Sequence, residues 1–299
     1  MMKVLVITGG SRDEREISFI SASNVGIALL RRGHVVEMFD FLNNYEALEK
    51  KLAEPDVIFP VLHGKEGEGG SLQEFLEKNN VKFVGSGSKA CYEGWNKFDF
   101  KEFCKKNSIV TPEWIKLTEE NKKEFYKKTL PFVIKPSDSG SSRGIYLIKS
   151  EEDRSKVNLE NLLKEYGPLI VEEFIDGIEV TVGILGDKAL PVVEIQPPKG
   201  EWFDYENKYS GRTKEIAPAP SFTDEQKKEL QTITEKIHRG LGCRHYSRAD
   251  FMVSPKGTFA LEINTIPGLT PESLLPKAAK AAGISFEEMI DRLIQMAVE

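Results

Sequence analysis

Glu262 and Asn264 stand two apart in "ALEINTIPGLTPESLLP", residues 260–276, a run that reads as a strand, breaks at Pro267-Gly268 and starts a helix. Alternate residues of a strand share one face, so an acid and an amide lie side by side there. The partner strand is "YSRADFMVS", joined through "PKG", which suits a three-residue hairpin loop with a left-handed glycine. Pairing Ser254 with Thr258 sets Asp250 opposite Glu262 and Arg248 opposite Asn264, and turns Phe251, Leu261 and Ile263 to the apolar face. Two carboxylates directly opposed on a sheet repel unless a cation lies between them. All-oxygen donors at this spacing suit a hard ion such as Mg²⁺, with phosphate oxygens filling its remaining positions. A solvated polar face of an antiparallel sheet has the same pattern, so the ion reading needs phosphate binders elsewhere.

Candidates for that role are present. "KPSDSGSSRG" (135–144) lies between two apolar runs, and its glycines and serines can present backbone N–H groups to phosphate oxygens. Lys135 ends the preceding strand as a point charge. The loop is not a Walker A sequence, since G-x-x-x-x-G-K-[ST] occurs nowhere in the chain, and a flexible hairpin would read the same way. Lys97, taken alone, reads as an exposed helix lysine. "GSGSKA" (85–90) fits a G-x-G-x-x-A dinucleotide loop. It follows the fourth apolar run and not the first, and no strand-ending acid lies about twenty residues on, so that reading is set aside.

These residues need a frame. "KVLVIT", "HVVEMFD", "DVIFPVL" and "VKFVG" alternate with helical stretches such as "SFISASNVGIALLRR", closed by Gly33, and "SLQEFLEKNN". This βαβαβαβ order predicts a parallel sheet with helices on both faces and ligands at the carboxyl ends of its strands. Glu14 follows the first of those ends, and His63, Gly64 and Glu68 follow the third. From "TPEWIKL" to residue 197 the pattern is antiparallel. The segment 198–215 is long, polar and aromatic, as lids are.

Composition narrows the classes. The chain has 299 residues, 40% of them hydrophobic and 29% charged, ordinary values for a soluble protein of two or three domains. A net charge of −6 argues against a general nucleic-acid or anionic-membrane partner. No apolar run approaches the roughly 20 residues of a membrane span, and the start "MMKVLVITGG" reads as a strand and not a signal peptide. Cys91, Cys104 and Cys243 are too scattered for a disulfide framework or zinc site and read as core residues in a reducing cytoplasm.

Together the motifs resemble an ATP-grasp enzyme of the D-alanine–D-alanine ligase family. The resemblance rests on "GGSRDEREIS", "LHGKEGEGGSLQ", "KPSDSGSSRG", "EEFIDGIEVTV", "FDYENKYSG", "SRADF" and "EINTIPGLTPESLLP", in order along nearly the whole chain. It implies a mixed α/β and α+β fold. A doubly wound parallel-sheet substrate domain (1–86) precedes a two-lobed ATP-grasp fold, with lobes at 87–171 and 172–299 and a lid at 198–215.

It implies roles residue by residue. Lys97, Lys135, Ser142 and Lys208 would belong to the ATP site, with the two first-named lysines on phosphates. Glu172, Glu173, Phe174 and Ile175 would line the adenine slot, and Glu179 would bind the ribose. Asp250, Glu262 and Asn264 would carry two magnesium ions, which Mn²⁺ could replace. Glu14 would anchor the ammonium of the first D-alanine, with His63 near its carboxylate. Ser273 and Leu274 would bind the second carboxylate, and Arg248 with the N–H of Gly268 would hold the oxyanion. Ser141 and Tyr209 would close the lid through Glu14. The resemblance further implies ATP and D-alanine as small-molecule partners, a homodimer, and a cytoplasmic enzyme of peptidoglycan precursor synthesis. Ser139 stands where many relatives have Glu, and Arg143 where a small apolar residue is usual. Alternatives at this point are another carboxylate–amine ligase of the same fold, a D-lactate- or D-serine-using relative, and a non-catalytic ATP sensor.

Overall fold

The computed structural model describes residues 1–10, 14–140, 143–198, 207 and 211–299. Near the N-terminus, β1 (Lys3–Gly9) runs parallel to β2 (Val35–Phe41) and β3 (Val57–Pro60) in the order β2-β1-β3. Val4 to Ile7 of β1 are almost wholly buried, as a central parallel strand covered on both faces must be. The helix Arg15–Arg31 crosses between the first two strands, and Gly33, at φ +80°, turns the chain out of it. The fourth apolar run is shorter than expected. Only Phe83 bridges to Ile58, because left-handed turns at Asn80 and Gly85 leave few extended residues between them.

One face of this sheet is covered by Leu48, Leu72 and Leu76 of the helices Tyr45–Glu49 and Ser71–Lys78. The other takes the helix Arg15–Arg31 together with the last helix of the chain, Phe286–Val298, through Met289, Ile290, Leu293 and Ile294. His34 to Asp291 at 2.8 Å and Arg31 to Glu287 at 2.8 Å fasten that contact. A linear division at 86 therefore cuts across this core.

Two antiparallel sheets follow. The order β4-β7-β5-β6 joins Trp114–Leu117, Leu169–Glu173, Phe132–Pro136 and Tyr146–Ile148. The second sheet has the order β11-β10-β8-β12-β13, with β9 (Lys188–Ala189) on β8 (Ile178–Leu185). Its other strands are β10 (Val193–Gln196), β11 (Lys214–Ile216), β12 (Tyr246–Ser254) and β13 (Gly257–Asn264). The sheets change over after Glu173, so Glu172 and Glu173 belong to the central sheet. The helix Asp224–Leu241, opened by a Thr223/Gln226 capping box and stopped at left-handed Gly242, covers the second sheet. The three cysteines are buried and free, in keeping with a core role. Among the described residues no helix is long and apolar enough to cross a membrane.

Candidate active site

The hairpin pairs Arg248 with Asn264 and Asp250 with Glu262, so both expected oppositions are present. The turn is not the expected one. Ser254 pairs with Gly257, leaving a two-residue connection, and the register shifts back between Asp250 and Phe251. The extra residue sits in the bulge, so Phe251 faces Ala260, and Ala260 fills the core position expected for Leu261, which is only half-buried. The turn and the bulge offset each other, and the polar face keeps its pairing.

Each carboxylate on that face already has a cation. Asp250 accepts from Arg248 Nε at 2.9 Å and Nη2 at 2.8 Å, and from Thr181 Oγ1 at 2.5 Å. Lys97 Nζ lies 3.5 Å from Glu262 Oε2. Asn264 Oδ1 accepts from the Ile266 N–H at 2.9 Å. Two carboxylates and an amide form a hard-oxygen set, and no group of three His, Cys, Asp or Glu residues that could hold a metal occurs among the described residues. Such a set suits a hard divalent cation whose other ligands are anionic oxygens of a bound molecule or water.

The helix Lys97–Lys106 starts beneath this hairpin because Asn96 caps it, accepting from the Phe98 N–H at 2.9 Å and the Asp99 N–H at 3.3 Å. Lys97 is only 6% exposed and donates to the Ser139 carbonyl at 2.7 Å, so the phosphate-loop candidate is tied to the helix start. One turn on, Lys101 is fully buried and pairs with Glu172 Oε2 at 2.8 Å. Lys135 pairs with the other oxygen of Glu172. Burial pushes the Glu172 carboxyl up, but the two lysines outweigh it and hold it at about 2. Sequence reading missed Lys101. Its signal was the i, i+4 spacing from Lys97 on the face that buries Phe100 and Cys104. Glu173 pairs with Lys256 at 3.1 Å, Lys149 lies over the Phe174 ring at 5.4 Å, Ile175 is buried, and Glu179 stands half-buried on β8.

A cavity of about 640 Å³ brings together Glu14, His63, Lys97, Arg248, Glu262, Asn264, Gly268, Ser273 and Leu274. Lys135, Asp250, Glu179 and the run 172–175 are not in its wall. Glu14 opens the helix Arg15–Arg31, and glycines make room for it. A Cβ on Gly64 would meet Glu14 Oε2 at 2.5 Å, and one on Gly140 would stand 3.4 Å from Oε1. Ser18 Oγ accepts from the His63 N–H at 3.0 Å, and Ser21 Oγ lies 3.2 Å from Nε2. Burial pushes His63 down to about 4, so the ring is neutral at neutral pH.

Glu68 also lines the cavity. It accepts from the Gly64 N–H at 3.0 Å, and burial, with Glu14 nearby, pushes its carboxyl up to about 8. Ser273 precedes the helix Leu274–Ala281, and its Oγ lies 2.9 Å from Thr270 Oγ1 without capping the helix. Ser141, Ser142, Lys208 and Tyr209 lie outside the described residues. Asn207, from the same segment as Lys208 and Tyr209, is buried in the cavity wall. At the rejected dinucleotide loop, Glu77 accepts from the Ser88 N–H at 2.9 Å, so a protein carboxylate takes the helix start where a phosphate would sit.

Comparison with known proteins gives one family. Residues 94–295 match the family model "D-ala D-ala ligase C-terminus", and residues 37–86 match "D-ala D-ala ligase N-terminus". The chain is 37% identical over 298 residues to a D-alanine–D-alanine ligase of Oleidesulfovibrio alaskensis, covering 99% of this chain and 96% of that one. It is 40% identical over 300 residues to that of Aquifex aeolicus, covering 98% and 100%. Among solved structures it resembles the Bacillus anthracis D-alanine–D-alanine ligase complexed with ATP, at TM-score 0.87 and 28% identity, covering 100% of this chain and 98% of that one. It also resembles the VanG D-Ala:D-Ser ligase of Enterococcus faecalis, at TM-score 0.84 and 30% identity, covering 99% of each.

Proposed function

The chain belongs to the D-alanine–D-alanine ligase family, and from that membership we infer an ATP-dependent enzyme that joins two D-alanines into D-alanyl-D-alanine through a D-alanyl phosphate. The observation that carries the reading is the single cavity in which Glu14 and His63, at the edge of the parallel sheet, face Arg248, Glu262 and Asn264 of the hairpin.

A carboxylate is a poor acyl donor, so activation must precede attack by the second amine. We assign the first D-alanine's ammonium to Glu14, and the space near its carboxylate to neutral His63. Ser273 and the start of the helix Leu274–Ala281 take the second carboxylate, since a helix N-terminus favours an anion. Arg248, held in a fixed plane by Asp250, and the Gly268 N–H face the oxygen on which charge grows when the amine attacks. One such donor is worth about 2.7–4 kcal/mol in the transition state. Lys97 and Lys135 supply positive charge to the nucleotide phosphates. Asp250, Glu262 and Asn264 would hold two Mg²⁺ ions, which neutralise the transferring phosphoryl group when bound and which Mn²⁺ can replace. The adenine slot is assigned to Glu172–Ile175 and the ribose to Glu179. Ser141, Ser142, Lys208 and Tyr209 are assigned to the lid and nucleotide. Closure of the lid keeps water from the acyl phosphate.

We further place the enzyme in the cytoplasm, in the supply of peptidoglycan precursors, and as a homodimer. The support for the dimer is the outer stripe of the helix Arg15–Arg31, where Phe19, Ile27 and Leu30 are exposed around the small Ser23. Antiparallel pairing of two such helices brings Glu16 of one copy toward Arg31 of the other. Phosphate release from ATP should require D-alanine and yield the dipeptide, with D-serine, D-lactate and L-alanine as comparisons. Release that ignores D-alanine would overturn the reading.

A further inference from the structure

We propose that Lys101 is a positioning residue for the nucleotide: by occupying one oxygen of Glu172 and pairing with Thr111, it leaves Lys135 a surplus positive charge for the phosphates. The inference rests on the nucleotide assignment made above and adds to it a residue that contacts no substrate.

Three buried groups carry the argument. Lys101 is fully buried, Glu172 is 3% exposed and Lys135 is 5% exposed. Two lysines share one carboxylate, so the cluster holds a net charge of one positive unit within a dry interior. A buried charge without a counter-ion is costly, and an anion arriving beside it gains what the protein leaves unmet. Lys135 is the penultimate residue of β5, separated by one residue from the loop 137–140, which puts the surplus close in sequence to the proposed phosphate loop. Were Lys101 absent, Glu172 would have Lys135 as its only cation among the described residues, and the pair would close on itself as a neutral unit.

The position of Lys101 is held from three directions. Its helix also carries Lys97 on the same face. Thr111 Oγ1 accepts from Lys101 Nζ at 2.5 Å and itself donates to the Ala260 carbonyl of β13 at 2.9 Å. Glu172 lies on β7 of the other sheet. Lys101 therefore ties the central sheet to the hairpin that carries Glu262 and Asn264. The groups facing its ammonium are Glu172, Lys135 and Cys104. Burial, the largest influence, lowers it to about 8 against the pull of Glu172.

The test counts charges. Lys101→Met keeps length and packing but removes the surplus. A non-hydrolysable ATP analogue with Mg²⁺ is titrated by calorimetry into the full chain without D-alanine. The Kd for Lys101→Met should rise about tenfold, the equivalent of one moderate charge interaction. The KM for D-alanine should stay within about twofold. Analogue affinity unchanged in Lys101→Met, or a D-alanine KM raised in equal measure, overturns the inference. If Lys101→Met does not fold, Lys101→Gln is used, which removes the same charge and keeps a donor for Thr111. A rise in analogue Kd of threefold or more supports the proposal, and a smaller one overturns it. A wild-type chain that binds no analogue would instead sink the nucleotide assignment itself.

Discussion

Glu262 and Glu68 are carboxylates of one cavity with opposite tasks. Glu262 faces Asp250 and Lys97, and the proposed metal site would use its negative charge to hold a divalent ion. Glu262→Gln keeps its shape and removes that charge, so turnover should fall about a hundredfold and the Mg²⁺ requirement should rise. Initial rates over a magnesium series check this, and near-normal rates at low Mg²⁺ would take Glu262 out of the metal site. Glu68 is the reverse case. Its folded value of about 8 lies above the ordinary 4.5, so the native chain keeps a proton that the unfolded chain gives up. That stability is fully present below pH 4.5 and is lost as the pH rises through about 8. Glu68→Gln, which cannot ionise, should flatten the fall in Tm over that window. His63 runs the other way: its stability is present above 6.5 and is lost as the pH falls through about 4. Thermal melts across the range separate the two, and parallel curves for wild type and Glu68→Gln would show that Glu68 holds no such proton.

At the scale of elements, the site depends on short loops with little room. The helix Lys65–Glu68 brings Glu68 back toward His63 only because Gly67 has no side chain. A Cβ there would stand 1.7 Å from the Leu62 carbonyl oxygen, a contact that no rotamer relieves. Gln73 supports the same loop, donating to the Gly67 carbonyl at 2.6 Å. Gly67→Ala must therefore displace the loop that carries His63 and Glu68, while Lys97, Lys101 and Lys135 lie on other elements. The expected result is a rise in the KM for D-alanine of about tenfold or more with analogue binding little changed. Equal losses in both titrations would mean that the substitution loosens the whole fold.

At the scale of the molecule, the parts that chemistry requires come from distant stretches of chain. The last helix closes the core of the first sheet, so detaching it would expose Leu29 and Val25 as well as its own apolar face. The same helix braces Arg15–Arg31, whose first turn starts at Glu14 and whose outer stripe is the proposed dimer surface. Sedimentation of the native chain should give twice the 33.7 kDa chain mass, and Ile27→Asp should give the single mass with its fold intact. A native chain that sediments as one copy at micromolar concentration would remove the dimer. Because Glu14 and that stripe share one helix, the monomeric variant should bind D-alanine less tightly while retaining its affinity for nucleotide.

What the sequence determined by itself was local. Strand alternation put Asp250 opposite Glu262, and Gly33 marked where the first helix ends, since side-chain period and left-handed glycines act within a few residues. Even the misplaced hairpin turn left the polar face paired, because a bulge restored the alternation. Motif order along the chain carried the family and the assigned roles. Only the tertiary structure decided the charge states and the partners. Lys97 reads alone as exposed, yet it is buried against Ser139 and Glu262. Lys101 meets Glu172 from another sheet, and Glu68 becomes an acid that holds its proton because Glu14 and a dry wall surround it. Desolvation and ion pairing depend on which elements meet, and no spacing within one segment encodes that meeting.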